Sequence, residues 1–143
     1  FEDTSCEHII VMVQKEVAEK FTAKVNDKEY SSLGIITESI CVDSRILFDV
    51  PPESFDPAPK VMSSILYIKK DMNKNFDKDF NKFLKACFVQ PRKKLSKNLT
   101  SVLDKDAISK IYQELNINEN IRPHEVSSSL YSQMHTRVRN GRN

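Results

Sequence analysis

A helix or a central strand cannot run through Val50-Pro51-Pro52-Glu53-Ser54-Phe55-Asp56-Pro57-Ala58-Pro59-Lys60-Val61, which holds four of the chain's six prolines. Each proline fixes its own φ, removes a backbone donor and biases the residue before it toward extended geometry. Apolar runs on either side, Arg45–Val50 and Val61–Ile68, read as strands, so the segment is a stiff connection between them. Phe55 therefore stands on a rigid, non-helical platform. Two readings are open. The ring caps the core beneath an inter-strand loop, or it offers a flat π-face to something planar, for which a nucleobase is the natural candidate.

A length of 143 residues fits one ordinary domain or two small ones. No apolar run approaches the roughly 20 residues that span a bilayer, which predicts no membrane partner. Phe1-Glu2-Asp3-Thr4 has neither the basic nor the apolar stretch of a signal peptide. The missing initiator Met reads as a chain that begins inside a longer protein. Cys6, Cys41 and Cys87 are odd in number and widely spaced, which predicts reduced thiols in a cytoplasmic protein. Glycine is scarcer still. Gly34 and Gly141 are the only two, so no Gly-rich loop is available to cradle a phosphate or a nucleoside cofactor, and none is expected to bind.

Along the chain, His8-Ile9-Ile10-Val11-Met12-Val13 reads as a strand buried on both faces. Gln14–Phe21 follows with helical composition, so strand and helix look like half of a βαβ unit. Leu33, Ile36 and Ile40 mark a second short helix, and the two strands flanking the prolines complete the first half. Met72–Asp79 is polar and reads as a boundary, which divides the chain into 1–71 and 72–143. Beyond it the spacing is helical: Phe76, Phe80, Phe83, Leu84, Cys87 and Phe88 form one stripe. Leu95, Leu99, Val102 and Leu103 form a second, with Pro91 near its first turn. Ala107–Leu115 forms a third, capped by Asp104, and Val126, Leu130 and Met134 a fourth, with a frayed tail from Thr136. Three strands and two helices make an incomplete α/β sheet, which predicts that its other strands belong to a preceding segment. An unpaired edge on the first strand predicts self-association.

His8, His124 and His135 share no ligand spacing with one another or with the cysteines, so no metal is expected. Nothing has the form of a nucleophile elbow or an acid/base carboxylate pair, and no catalytic residue is assigned. Net charge is only +2, but Arg92, Lys93, Lys94 and Lys97 form a dense cluster in Gln90-Pro91-Arg92-Lys93-Lys94-Leu95-Ser96-Lys97-Asn98-Leu99. Cations at a helix start oppose the macrodipole. A solvated helix face explains them, and so does a polyanion that collects side-chain charges and free backbone N–H groups together. The residues leave both open.

Three segments then resemble one family in order: Met12–Glu19, Phe48–Ser64 and Phe83–Leu95. Each is similar to a segment of the bacterial small-subunit (16S) rRNA adenine N6,N6-dimethyltransferases, and Arg122–Met134 resembles that family's last helix. The likeness covers essentially all of this chain but only the C-terminal half of the family. It implies an α/β fold: the last strands and helices of a Rossmann-like class I methyltransferase sheet, then a small all-α domain. It implies S-adenosylmethionine as cofactor of the full-length protein, with the cofactor loop and the catalytic Asn-Leu-Pro-Tyr motif upstream of these residues. It also implies an inactive fragment, partnered by the rest of the same protein and by small-subunit rRNA in the immature subunit. Phe55 matches the aromatic of a Phe-x-Pro-x-Pro-Lys motif that faces the target adenine, and Lys60 its closing lysine. Arg92, Lys93, Lys94 and Lys97 match a basic helix start that touches rRNA. The family often has Gln-Arg-Arg-Lys where this chain has Gln90-Pro91-Arg92-Lys93, so one cation is lost and the turn is stiffer. Competing expectations are a large-subunit rRNA methylase of the antibiotic-resistance type, a non-catalytic RNA-binding helical module, and a fragment without autonomous function.

Overall fold

The computed structural model describes residues 5–141, which fall into two compact units. One comprises the residues up to Lys24 together with Leu33–Phe76; the other comprises Val25–Ser32 and the residues from Asp77 onward. The helical unit thus recruits a segment that lies between two elements of the sheet unit in sequence.

The sheet unit runs β1 (His8–Gln14), α1 (Lys15–Thr22), α2 (Ser32–Ile40), β2 (Cys41–Val50) and β3 (Ser63–Lys70). The spatial order is β1-β3-β2, and β3 is antiparallel to both neighbours, with Val11 opposite Leu66 and Ile46 opposite Leu66 on the other side. β1 and β2 therefore run the same way, but the expected half of a βαβ unit does not close into adjacent parallel strands, because β3 lies between them. β3 alternates strictly: Ser64, Leu66, Ile68 and Lys70 are buried, and the residues between them are half-exposed. That is the pattern of a central strand.

β1 departs from the reading of a strand buried on both faces. Ile10, Val11 and Met12 are 64%, 40% and 51% exposed. The strand pairs on one edge only, and no strand among the described residues pairs with the other edge. Its β-branched run suits burial that these residues do not themselves provide. β2 also exposes Val42, Leu47 and Phe48, and is bulged between Cys41 and Asp43 and between Ile46 and Phe48.

The helical unit contains α3 (Lys78–Cys87), α4 (Leu95–Leu99), α5 (Lys105–Leu115) and α6 (Ser128–Gly141). α3 starts where Asp77 accepts a bond from the Phe80 amide at 3.0 Å, and α5 where Asp104 accepts from Ala107 at 2.8 Å. Asn116, at φ 54°, ends α5 in the left-handed region that asparagine tolerates. The core is Phe83, Leu84, Cys87, Leu95, Leu99, Val126, Tyr131 and Met134, all under 5% exposed. Tyr30, from the recruited segment, donates to the Val126 carbonyl at 2.9 Å and packs edge-on to Phe88.

Three expectations about the helices are corrected. α4 is only five residues long and Val102 is exposed, because the chain leaves the helix in turns at Thr100 and Ser101. The tail from Thr136 is not frayed among the described residues. α6 continues to Gly141, since Val138 is buried and His135 Nε2 lies 2.7 Å from Asp79 Oδ2 between the rings of Phe80 and Phe83. Val126 precedes that helix rather than opening it, and Pro123 begins a short 3₁₀ turn.

Candidate functional site

Each unit carries one of the two stretches singled out by sequence. In the sheet unit the proline-rich connection leaves β2 at Val50 and enters β3 at Ser63, which are paired across the ladder. Pro52–Ser54 form a single 3₁₀ turn, closed by the Phe55 amide donating to the Pro52 carbonyl at 3.1 Å. Phe55 itself is extended (φ −118°, ψ 152°) and half-buried, and Lys60 is exposed. The ring is thus neither sealed in a core nor fully in solvent.

The base of this connection is tied down by three side chains, Lys15, Asp49 and Ser64. Ser64 Oγ donates to Asp49 Oδ1 at 2.7 Å, and Lys15 Nζ to Asp49 Oδ2 at 2.9 Å. The Lys15 backbone N–H also donates to the Met62 carbonyl at 2.9 Å. The Lys15 hydrogen bond, then that of Ser64, holds the Asp49 carboxyl below its ordinary pKa. The same bond raises Lys15 above the usual lysine value. Asp49 and Ser64 meet because strand register makes them cross-strand partners. No spacing along the chain announces that.

In the helical unit Gln90–Lys94 is a turn, not the first turn of a helix as the spacing suggested. Lys94 is the N-cap residue of α4, and Arg92 and Lys93 precede it. Arg92 and Lys93 are therefore off the helix, and Lys97 sits in its last turn, where the dipole favours a cation, so the clash with the dipole is mostly avoided. Asn98, buried in α4, organises the turn. Its Oδ1 accepts from the Gln90 amide at 2.7 Å, while its Nδ2 donates to the Gln90 and Lys94 carbonyls at 3.0 and 3.1 Å. Leu95 and Leu99, both fully buried, fix the other end. Arg92, Lys93, Lys94 and Lys97 are all exposed and make no ion pair among the described residues. Their charges are held in place and left available. The sequence reading counted Asn98 as part of the cluster and missed its role; an amide eight residues from its turn partner gives no local signal.

The remaining candidates are quiet. Burial pushes the Cys87 thiol up to about 12 and Cys41 to about 11, so neither is a thiolate at neutral pH. Among the described residues no cluster of three His, Cys, Asp or Glu could hold a metal ion, and no helix is long and apolar enough to cross a membrane. Gly34 lies within α2 and Gly141 ends α6, so no glycine turn joins a strand to a helix. The residues present do not form an S-adenosylmethionine cradle of the Gly-rich kind.

The family model described as "Ribosomal RNA adenine dimethylase" matches residues 1–139. The chain belongs to that family. It is 80% identical over its whole length to a protein named ribosomal RNA small subunit methyltransferase A of Aliarcobacter butzleri, covering 54% of that protein. It is 44% identical over 137 residues to the protein of the same name in Sulfurimonas denitrificans, covering 51%. The chain thus spans about half the length of the curated relatives it matches. Among solved structures, a dimethyladenosine transferase from Plasmodium falciparum superposes with a TM-score of 0.74 at 22% identity, over 90% of this chain and 55% of that one. A 23S rRNA methyltransferase does so with a TM-score of 0.58 at 16% identity, over 93% and 55%. These two likenesses establish the methyltransferase-type α/β fold. The rRNA dimethylase family and its fold, read from the three sequence segments, are both confirmed.

Proposed function

We propose that this chain is the part of a small-subunit rRNA adenine N6,N6-dimethyltransferase that holds the target adenine and grips the rRNA, in cytoplasmic assembly of the small ribosomal subunit. The observation that carries this reading is Phe55. Its half-exposed ring stands on an extended backbone between prolines, with the base of the connection clamped by Asp49, Ser64 and Lys15. A ring so held stacks on an extruded base and keeps the exocyclic nitrogen in one place, which is a positioning role. Lys60, exposed on the same connection, is suited to the adjacent phosphate. Arg92, Lys93, Lys94 and Lys97 supply sequence-independent affinity for backbone phosphates. The relatives' names favour small-subunit over large-subunit rRNA as the target.

We further infer that S-adenosylmethionine binding and the catalytic residues belong to the half of the relatives' length that this chain does not match, and that the helical unit, Val25–Ser32 with the residues from Asp77 onward, is the rRNA-gripping part. The placement of both glycines inside or at the end of helices supports the first assignment. Calorimetry on the 143-residue chain is expected to detect no cofactor binding; micromolar affinity would overturn this division of labour.

The decisive test is Phe55→Ala in the full-length enzyme. Base–aromatic stacking is worth roughly 1–3 kcal/mol, so single-turnover methylation should fall about 10- to 100-fold. Affinity for rRNA and the melting temperature should change little, and Phe55→Tyr or Phe55→Trp should restore most of the rate. An unchanged rate in well-folded Phe55→Ala would end the stacking role. A fall in melting temperature that tracks the loss of rate would make Phe55 a core residue instead.

A further inference from the structure

Lys15 is bonded to the proline-rich connection at both of its feet. It is the first residue of α1, directly after β1 ends at Gln14. Its backbone N–H donates to the carbonyl of Met62, at the far foot, at 2.9 Å. Its Nζ donates to Oδ2 of Asp49, at the near foot, also at 2.9 Å. The first bond carries the β1–β3 ladder one residue past the Gln14–Ser63 pair. The second passes the start of β3 and lands on β2, a strand that does not pair with β1.

Asp49 and Ser64 lie on the two strands that the connection joins, so their bond fixes the loop only to its own hairpin. Lys15 fixes that hairpin to β1 and α1. β1 and β2 run the same way, so both end at one edge of the sheet, and the connection leaves from that edge. The carboxyl edge of like-running strands is where open α/β sheets receive their ligands. The Lys15 and Asp49 side chains are 42% and 38% exposed, and an ion pair so open contributes little to stability. Two bonds on opposite feet of one loop suit the fixing of a position better than the holding of a fold.

We propose that Lys15 is a positioning residue for methyl transfer. It holds the Phe55 platform in one place relative to the carboxyl end of β1, so that a base stacked on Phe55 meets the reaction in one orientation. Lys15 acts through the platform, not on the base. The inference rests on the stacking role proposed for Phe55 and adds that the aim of the ring is set from outside its own hairpin.

The test is a double-mutant cycle in the full-length enzyme: Lys15→Met, Phe55→Ala and the two together, with Lys15→Arg as the conservative variant. Single-turnover methylation at saturating rRNA, rRNA affinity and melting temperature are measured on each. Lys15→Met keeps the backbone bond to Met62 and removes the one to Asp49. Its rate should fall about tenfold, because a small misplacement of a reacting group is costly in rate, while affinity and melting temperature hold. Lys15→Arg still donates to Asp49 and should restore most of the rate. In the Phe55→Ala background Lys15→Met should cost about twofold at most, since the ring it aims is gone. An unchanged rate in Lys15→Met, or the same loss in both backgrounds, would overturn the positioning role while a slow Phe55→Ala keeps the stacking role. A loss of rate matched by a loss of rRNA affinity or of melting temperature would overturn it too, making Lys15 an RNA contact or a structural tie. A Phe55→Ala enzyme as fast as the parent would instead end the stacking role, and this inference with it.

Discussion

Lys15, Asp49 and Ser64 are far apart in sequence and meet at the root of the proline-rich connection, with oxygen and nitrogen atoms 2.7–2.9 Å apart. Asp49 is the hinge of the group, accepting on both carboxylate oxygens. Its lowered pKa means that it favours the folded form above the ordinary carboxylate value of 3.8. That contribution fades as pH falls through the lower folded value. Lys15, raised above 10.5, contributes below that pH and loses its contribution as pH rises through the higher folded value. The clamp is therefore intact between the two limits and loosens at both. Both side chains are well exposed, so the effect is local rather than global. NMR titration of the Asp49 carboxyl is expected to give a midpoint below 3.8, shifted back up by Lys15→Met and, less, by Ser64→Ala. A parent midpoint at 3.8 would mean that the clamp does not form in solution.

Among the elements, β1 is the one whose composition and surroundings disagree. Ile10, Val11 and Met12 suit a buried strand, yet the described residues leave them open and leave one strand edge unpaired. Unpaired apolar edges template pairing with other chains. The 143-residue chain is expected to self-associate, and Ile10→Lys to reduce that association by placing a charge on the exposed strand. Sedimentation velocity on both checks this. A parent chain that sediments as a clean monomer across the accessible concentrations would refute it. α4 shows the opposite balance. It is short and begins at an N-cap residue that makes no side-chain cap, but Leu95, Leu99 and the Asn98 bonds to Gln90 and Lys94 hold it by tertiary contact.

At the scale of the molecule, the helical unit is not contiguous in sequence. Val25–Ser32 belongs to it, and Tyr30 is the anchor, 4% exposed and bonded to the Val126 carbonyl. A polypeptide beginning at Asp77 would lose that hydrogen bond and open the space against Phe88. It is expected to melt less cooperatively, with less helix by circular dichroism, than the same unit in the full chain. In the full chain Tyr30→Phe, which keeps the ring, should cost only about 1 kcal/mol. A truncated unit with full helical signal and a sharp transition would show that the recruited segment adds nothing.

Periodicity was enough to place α3, and periodicity with the Asp104 cap to place α5, because an amphipathic stripe and an Asp at a helix start are local signals. The prolines likewise settled where β2 must end and that Phe55 stands on irregular backbone, since each proline acts on its own φ and its neighbour's. The likeness of three ordered segments was enough to name the family. What the sequence alone did not decide depends on residues distant along the chain. The order β1-β3-β2, the Asp49–Ser64 pairing and the Asn98 clamp each need two segments brought together. So does the continuation of α6 past Thr136, where buried His135 and Val138 outweigh a polar composition. Local propensity is worth a few tenths of a kcal/mol per residue, whereas burying one side chain is worth about 1.5–3 kcal/mol. Tertiary packing therefore overrules it wherever the two conflict.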